Sequence, residues 1–410
     1  MIASADRSKL FIISAGLVLA LLFLYPTAVF LLKAFNGFAW DFSINWTAAI
    51  ALRQKIPLYH QAELQQIAMQ QIDSSMQTLF TGPFKSFISL PTTALLMLPF
   101  TFFPFDTAIQ LYRACTLLAF LGGITLTSFA TTREYRTPTL LIGIACLVLW
   151  DSGQFSLTLG QIDGWVVLML GMILFSVKHQ YWRLAGMGIG VATLLKISPV
   201  LLLFYCILKR QWTIVFAAVA TLSLGLLLCW LPHSGADLQE FVSDVIPILS
   251  NGTRHVQNQA LGAFLARLTS DNPDLLRFSL TAGYWKFISV GFIAILLLAL
   301  WRQCSTHLLN ATELACVIVL TLLAGPISWD HYCTWAILPA MLLIGSMRTW
   351  QSFSITSLLL VPFYFAIPYK NAAIVADQWW WRVFSSGYTL ALIALFFAML
   401  LHIQRLQRLR

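Results

Sequence analysis

The chain has 410 residues, of which 59% are hydrophobic and only 10% charged, with a formal net charge of +9 and a mean hydropathy of +0.79. Soluble domains carry roughly 25% charged residues, so the composition excludes a water-soluble globular protein and places the chain among polytopic helical membrane proteins. The positive charge is spread thinly over ends and loops, which fits positive-inside anchoring and contact with anionic lipids rather than a nucleic-acid partner.

Apolar segments are predicted at about 10–33, 89–103, 106–130, 138–150, 160–177, 184–208, 212–231, 284–302, 311–327, 332–347, 352–368 and 385–403. A membrane-crossing helix needs about 20 apolar residues, so the expectation is an all-α fold of about twelve transmembrane helices, forming one integral membrane domain over 1–410. The first run is too long for a signal-peptide core and reads as a retained helix. Arg7 and Lys9 precede it, and Arg405, Arg408 and Arg410 follow the last run. Both termini are therefore expected in the cytoplasm, with polar loops 34–88 and 233–283 on the outer face of the plasma membrane. Pro99 and Pro104 interrupt one run, and Lys196-Ile197-Ser198-Pro199 breaks another near its centre. Such breaks are tolerated where they line a polar cavity.

The first outer loop has its own pattern. Ser43 to Gln54 is compatible with a helix that Pro57 ends. Glu63 to Ile72 places Leu64, Ile67, Ala68 and Ile72 on one face and glutamines on the other. Both segments are expected to rest on the membrane–water boundary. The seven cysteines form no Cys-x-x-Cys pair, so neither a disulfide framework nor a metal site is expected.

Five groups of polar residues stand out against this apolar background. Asp41 follows the first run between Trp40 and Trp46. It reads either as a cap for the helix starting near Ser43 or as a general base at the lipid boundary. Lys196 sits mid-run, where a lysine costs roughly 2.5–3.5 kcal/mol on insertion scales. Snorkelling explains it plainly; a phosphate held at the Ser198-Pro199 break explains it functionally. Gly186, Gly188 and Gly190 upstream read as packing positions. The others are Leu159 to Asp163 (LGQID), His255 to Leu268 (HVQNQALGAFLARL) and Gly325 to Tyr332 (GPISWDHY), the last placing Trp329, Asp330 and His331 at the mouth of a helix.

Together these motifs resemble glycosyltransferase family 87, in the GT-C superfamily of polyprenyl-phosphate-dependent membrane glycosyltransferases. The resemblance runs in order through Asp41, Ala48, Ala49, Pro57 and Tyr59, then 90–100 (LPTTALLMLPF), Gly160-Gln161, the glycine-rich helix ending at Lys196 and Pro199, Asn258-Gln259, and Pro326 to His331. Leu90-Pro91 stands where the family often has Tyr-Pro-Pro, Asp163 where Asn is usual, and Ala260 where Ser often follows Asn-Gln. These departures bear on sugar and acceptor more than on fold.

The resemblance implies a sugar, mannose first and arabinose second, carried on a polyprenyl phosphate and moved with inversion to a lipid or glycan acceptor at the outer face. Phosphate is already an adequate leaving group, so one base suffices, unlike the two carboxylates of glycoside hydrolases. Asp41 is then expected as that base and His331 as a second catalytic group at phosphate or acceptor. Lys196 and Arg267 are expected on the donor phosphate. Gln161, Asp163, Asn258, Gln259, Trp329 and Asp330 are expected on substrate. No metal and no further cofactor is required. Two rival readings are a transporter or flippase for a lipid-linked substrate, which would also use a buried lysine and broken helices, and an O-antigen ligase or polymerase. Against the first stand the absence of an inverted repeat and an outer loop carrying an acid; against the second, the early position of the strongest motif.

Overall fold

The structure, a computed structural model, describes residues 24–72, 87–269, 281–304, 308–345 and 379–408. An apolar chain in lipid must satisfy its backbone polar groups internally, and helices dominate accordingly. In chain order they are α1 (24–36), α2 (Trp40–Arg53), α3 (Gln61–Gln71), α4 (Pro91–Met97), α5 (Phe105–Phe129), α6 (Arg136–Leu149), α7 (Asp151–Leu159), α8 (Asp163–Lys178), α9 (Trp182–Leu195), α10 (Val200–Leu208) and α11 (Trp212–Trp230). There follow α12 (Ala236–Glu240), α13 (Ile246–Ser250), α14 (Leu261–Leu268), α15 (Trp285–Cys304), α16 (Ala311–Ala324), α17 (Ile337–Gly345), α18 (Trp379–Phe384) and α19 (Gly387–Arg408). Among the described residues the only extended pairing is an isolated antiparallel bridge between Asn258 and Trp329.

Among these helices, α5, α11, α15 and the Gly387–Arg405 part of α19 are long and apolar enough to cross a membrane. Residues Arg133–Leu149 and Asp151–Leu159 pass the same test together but bend by 63° at their junction. Four or five candidate spans therefore stand where the sequence pattern predicts about twelve. Breaks account for much of the difference. Segment 89–103 becomes α4 plus a 3-10 turn, Leu98–Phe102, that contains Pro99. Segment 184–208 divides into α9 and α10. Segment 332–347 begins in a 3-10 helix, Asp330–Ala336, before α17. The predicted segment at 352–368 and the start of the first run lie outside the described residues.

Two apolar cores hold the helices. One is centred on α8, α16 and α17 and includes Trp150, Trp335, Phe120 and Phe396. The other lies under α2 to α4 and includes Phe42, Trp46, Tyr59, Phe87 and Tyr112. The sequence pattern predicts that α2 rests on the membrane surface; instead it is buried from Phe42 through Leu52 and packs against α3 and α4. The α3 helix buries Leu64, Ile67 and Ala68 as its spacing predicts.

The α5–α8 pair is joined through glycine. A methyl group on Gly171 would overlap the carbonyl oxygen of Gly123, one on Gly123 would overlap that of Val167, and one on Gly164 would lie 2.5 Å from that of Thr116. Small residues at these positions let the two backbones touch.

A buried polar cluster pins α10, α15 and α16 together. Lys209 Nζ lies 3.1 Å from Glu313 Oε2 and also donates to the carbonyl of Cys304. Tyr205 donates to the same carboxylate oxygen at 3.1 Å, and Asn310 Nδ2 to the other at 2.6 Å. Removing one partner from a buried pair of this kind costs roughly 3–5 kcal/mol. Glu313 opens α16 and His331 follows its far end, so the rise of 1.5 Å per residue separates this cluster from the candidate site by about 20 Å.

Candidate functional site

Three chain breaks bring the polar residues to one place. The first is Gly160, which ends α7 in the left-handed conformation at φ 70°. A side chain there would be strained, and its Cβ would lie 2.5 Å from Phe42 Cβ. Glycine thus turns the chain from α7 into α8 and lets α2, with Asp41, approach the turn. Tyr112 fixes the same turn by donating to the carbonyl of Gln161 at 3.2 Å.

The second break is at Lys196. The α9 helix stops at Leu195, Lys196 is extended (φ −144°, ψ 132°), and Pro199 prevents the helix from running through. Thr92, at the head of α4, donates to the freed carbonyl of Leu194. The third break follows α16. Residues 257–259 and 328–330 pair there, with Gln259 N donating to Ser328 O at 2.6 Å and Asp330 N to Gln257 O at 2.9 Å. The 3-10 helix that begins at Asp330 then carries His331, Tyr332 and Trp335.

Asp163, the first residue of α8, is fully buried where these breaks meet. Its Oδ1 accepts from Lys196 Nζ at 2.6 Å and from Trp335 Nε1 at 3.2 Å. Its Oδ2 accepts from His331 Nδ1 at 2.7 Å and from Ser156 Oγ at 3.1 Å. The Lys196 ammonium also lies 3.3 Å from the centroid of the Tyr332 ring and 5.7 Å from that of Trp335, and the two rings stack at 5.5 Å. Such contacts hold a desolvated cation in place. Lys196 therefore sits in a cage of one carboxylate and two aromatic rings instead of snorkelling to a surface.

Asp41 lies half-buried in the first turn of α2, whose cap position is Ala39 with no side-chain cap bond. The helix begins earlier than the sequence pattern predicts, which removes Asp41 from the capping position. Burial raises the Asp41 carboxyl above its ordinary range; the charges of His331 and Lys196 and a hydrogen bond from Gln161 counter the rise. A carboxylate, an ammonium and an imidazole thus share one polar site, with Gln161 on the carboxylate.

The remaining predicted residues divide. Asp330 accepts from the backbone N–H of His331 at 2.9 Å, and burial, with Asp151 nearby, pushes its carboxyl up to about 8. Trp329 is beside it, edge-on to His255 at 5.8 Å. Asn258, Gln259 and Arg267 are each tied into the loop they stand on. Asn258 donates to Thr253 O (2.9 Å) and Pro326 O (3.0 Å), and accepts from Ala260 N (3.2 Å) and Ser328 N (2.8 Å). Gln259 donates to Val256 O and Ser385 O, both at 2.8 Å, and accepts from Thr389. An amide side chain has no more capacity than this. Arg267 is fully buried and donates to His255 O at 2.9 Å, Asn258 O at 2.6 Å and Ser386 Oγ at 2.8 Å. Desolvation lowers its pKa to about 9. Its guanidinium braces an irregular loop whose carbonyls need donors.

The sequence reading gives no role to Tyr332, Trp335, Ser156 or Arg113. The aromatic pair follows His331 at one and four residues, a signal visible in the sequence. Arg113 is the one basic residue of the apolar α5. It donates to Phe35 O at 2.7 Å, Thr158 O at 2.9 Å, Leu157 O at 3.2 Å and Gly37 O. It thereby joins the ends of α1 and α7 beneath the site.

The sequence as a whole is similar to several known proteins. An alpha-(1->3)-arabinofuranosyltransferase of Corynebacterium glutamicum is 30% identical over 172 residues, 42% of this chain and 40% of that protein. A polyprenol-phosphate-mannose-dependent alpha-(1-2)-phosphatidylinositol mannoside mannosyltransferase of Mycobacterium tuberculosis is 27% identical over 280 residues, 62% of this chain and 61% of that protein. A polyprenol-phosphate-mannose-dependent alpha-(1-2)-phosphatidylinositol pentamannoside mannosyltransferase of Mycolicibacterium smegmatis is 22% identical over 250 residues, 60% of this chain and 58% of that protein. The matches thus span between 40% and 61% of these relatives. The profile of glycosyltransferase family 87 matches residues 87–326, a stretch that contains Gln161, Asp163 and Lys196 and ends short of Asp41 on one side and His331 on the other. A match over more than half of the chain decides the assignment: this protein belongs to glycosyltransferase family 87.

Proposed function

We propose that this protein transfers a sugar, mannose or alternatively arabinose, from a polyprenyl phosphate to a hydroxyl of a lipid or glycan acceptor, at the outer face of the plasma membrane and with inversion. The activities for which the relatives are named support the donor class. The observation that carries the reading is the approach of Asp41 to the Lys196–Asp163–His331 cluster. In this scheme Asp41 takes the proton from the acceptor hydroxyl. The acceptor oxygen attacks the anomeric carbon as the bond from that carbon to the phosphate oxygen breaks. Lys196 stabilises the charge that collects on the departing phosphate, and His331 stands at the phosphate or the acceptor. A positioned base contributes typically 10²–10⁴-fold to such a step.

Incubation of purified protein with polyprenyl-phosphate mannose or polyprenyl-phosphate arabinose, without nucleotide sugars, tests the proposal. Transfer or slow hydrolysis of one donor, with release of polyprenyl phosphate, is the expected outcome. A folded protein that leaves both donors intact while an acceptor extract is present would remove the transferase reading.

A further inference from the structure

We infer that Asp163 is a positioning residue for this reaction: it fixes the His331 ring with a proton on Nδ1, so that Nε2 can accept from a substrate hydroxyl, and holds the Lys196 ammonium beside it to face the donor phosphate. The inference rests on the transferase reading and goes beyond it, because Asp163 touches no substrate in it.

An ionised carboxylate offers about four lone-pair sites. Here four side-chain donors take them, two on each oxygen: Lys196 and Trp335 on Oδ1, His331 and Ser156 on Oδ2. Asp163 is fully buried. It therefore has neither the exposure nor the acceptor capacity to bind a sugar hydroxyl, as its place after Gly160-Gln161 predicts. Its four partners come from α7, from the break after α9 and from the 3-10 helix. Removing the carboxylate would take away the one acceptor these four donors share.

The chemistry of the acceptor decides the state of its partners. A carboxylate can only accept, so the imidazole nitrogen facing it must carry hydrogen. Nδ1 is thereby committed as a donor, and Nε2 makes no hydrogen bond among the described residues. Lys196 likewise gives one N–H to Asp163 and has no other hydrogen-bond acceptor among the described residues, while the Tyr332 and Trp335 rings confine it. One buried anion thus fixes both groups: Nε2 keeps its lone pair for a ligand hydroxyl, and the ammonium keeps N–H groups for a ligand oxygen.

Asp163→Asn separates positioning from bulk. An Asn amide group facing the ammonium would set donor against donor, so the Asn oxygen must face Lys196 and Trp335. Its amide nitrogen then faces His331 and donates to Nδ1, which forces the ring proton onto Nε2. The variant keeps shape and four contacts but inverts the His331 tautomer. With the donor that the wild-type protein uses, kcat is expected to fall by on the order of 10²-fold or more, as wrong-tautomer substitutions do, with KM for donor within about threefold. In a His331→Gln background the same change should have little further effect on kcat, because its target is gone. A purely structural Asp163 would instead lower thermal stability and multiply with His331→Gln. Nitrogen NMR of histidine-labelled wild-type protein, assigned with His331→Gln, reads the tautomer directly and does not depend on the Asn variant folding. A proton on Nδ1 is expected; neutral His331 with its proton only on Nε2 overturns the inference. So does Asp163→Asn with kcat within twofold of a transferring wild type. If the wild type transfers from neither donor, the transferase reading falls and takes this inference with it.

Discussion

The backbone N–H of Leu58 donates to Asp237 Oδ1 at 3.0 Å, across 179 residues of sequence. Asp237 is buried, and His233 Nδ1 holds its other oxygen. Beside this contact the Tyr59 ring packs against Phe87 and Phe241, and the Tyr59 hydroxyl donates to Ser89 O at 2.7 Å. The turn that follows α2 is therefore anchored to the segment after α11, and the anchor bears on where Asp41 stands. Asp237→Ala leaves the Leu58 N–H and the imidazole without their acceptor, at a cost of roughly 1–3 kcal/mol for each buried donor. A lower thermal midpoint with reduced transfer is expected; Asp237→Asn, which retains an acceptor for Leu58, should fall between that variant and wild type.

Asp41→Asn is expected to fold, bind donor lipid and lose transfer by about 10²-fold or more, the range for a positioned base. Because Asp41 is not at a cap position, no capping loss accompanies the change. Donor titration and single-turnover transfer on the same monodisperse sample check both halves of the expectation. Near-normal turnover would assign the base elsewhere.

Burial holds the Asp41 carboxyl above its ordinary value of 3.8. A base works only when ionised, so the acid limb of the transfer rate should have its midpoint above 3.8 rather than at it. The stability effect has the opposite sense. The folded protein binds this proton more tightly than the unfolded chain does, so this contribution is complete below 3.8 and is lost as pH rises through the folded-state value. Thermal midpoints measured against pH for wild type and Asp41→Asn should differ by that slope, with Asn relatively favoured at neutral pH.

Arg267→Lys is expected to unseat the loop and not the donor. A lysine ammonium cannot reproduce the planar fork that spans His255 O, Asn258 O and Ser386 Oγ, and hydrogen bonds from a charged group contribute about 1.5–3 kcal/mol each. The thermal midpoint should drop. Donor affinity of the fraction that remains folded should stay close to wild type. Weakened donor binding without loss of stability would restore Arg267 to the phosphate.

Orientation can be read with single cysteines. The native thiols are buried or half-buried, while Gln66 on α3 and Arg210 after α10 are exposed. With the first loop outside, an impermeant reagent should label Gln66→Cys in intact cells and Arg210→Cys only after permeabilisation. The reverse pattern would place the site on the cytoplasmic side.

The membrane class, the α3 helix and the broken helix at Lys196 are legible in sequence because each rests on local physics: hydropathy, periodicity, or a charge and a proline inside an apolar run. The helix count is not, since an apolar run does not reveal where tertiary contacts will bend it, as at the α6–α7 junction. Asp163 was legible as a polar residue opening a helix, but its four donors arrive from distant segments, and no spacing records that. Asn258, Gln259 and Arg267 stand out in the sequence without revealing the loop bonds they make, for a related reason. In an apolar protein every polar side chain draws notice, yet an irregular loop needs polar side chains simply to satisfy its own backbone.

The glycine seam between α5 and α8 sets the tolerance of the site. Where helices meet through side chains, a rotamer change on one is absorbed by its neighbour, and the axes can drift. At Gly123, Gly164 and Gly171 backbone rests directly on backbone, so nothing can rotate or repack. The head of α8, and with it Asp163, is referenced to α5 largely by close contact with its main chain. A bulky lipid chain entering elsewhere can rearrange side chains around the protein without shifting that datum. The seam is thus a part of the fold with little room for mutation, although it holds no reactive group.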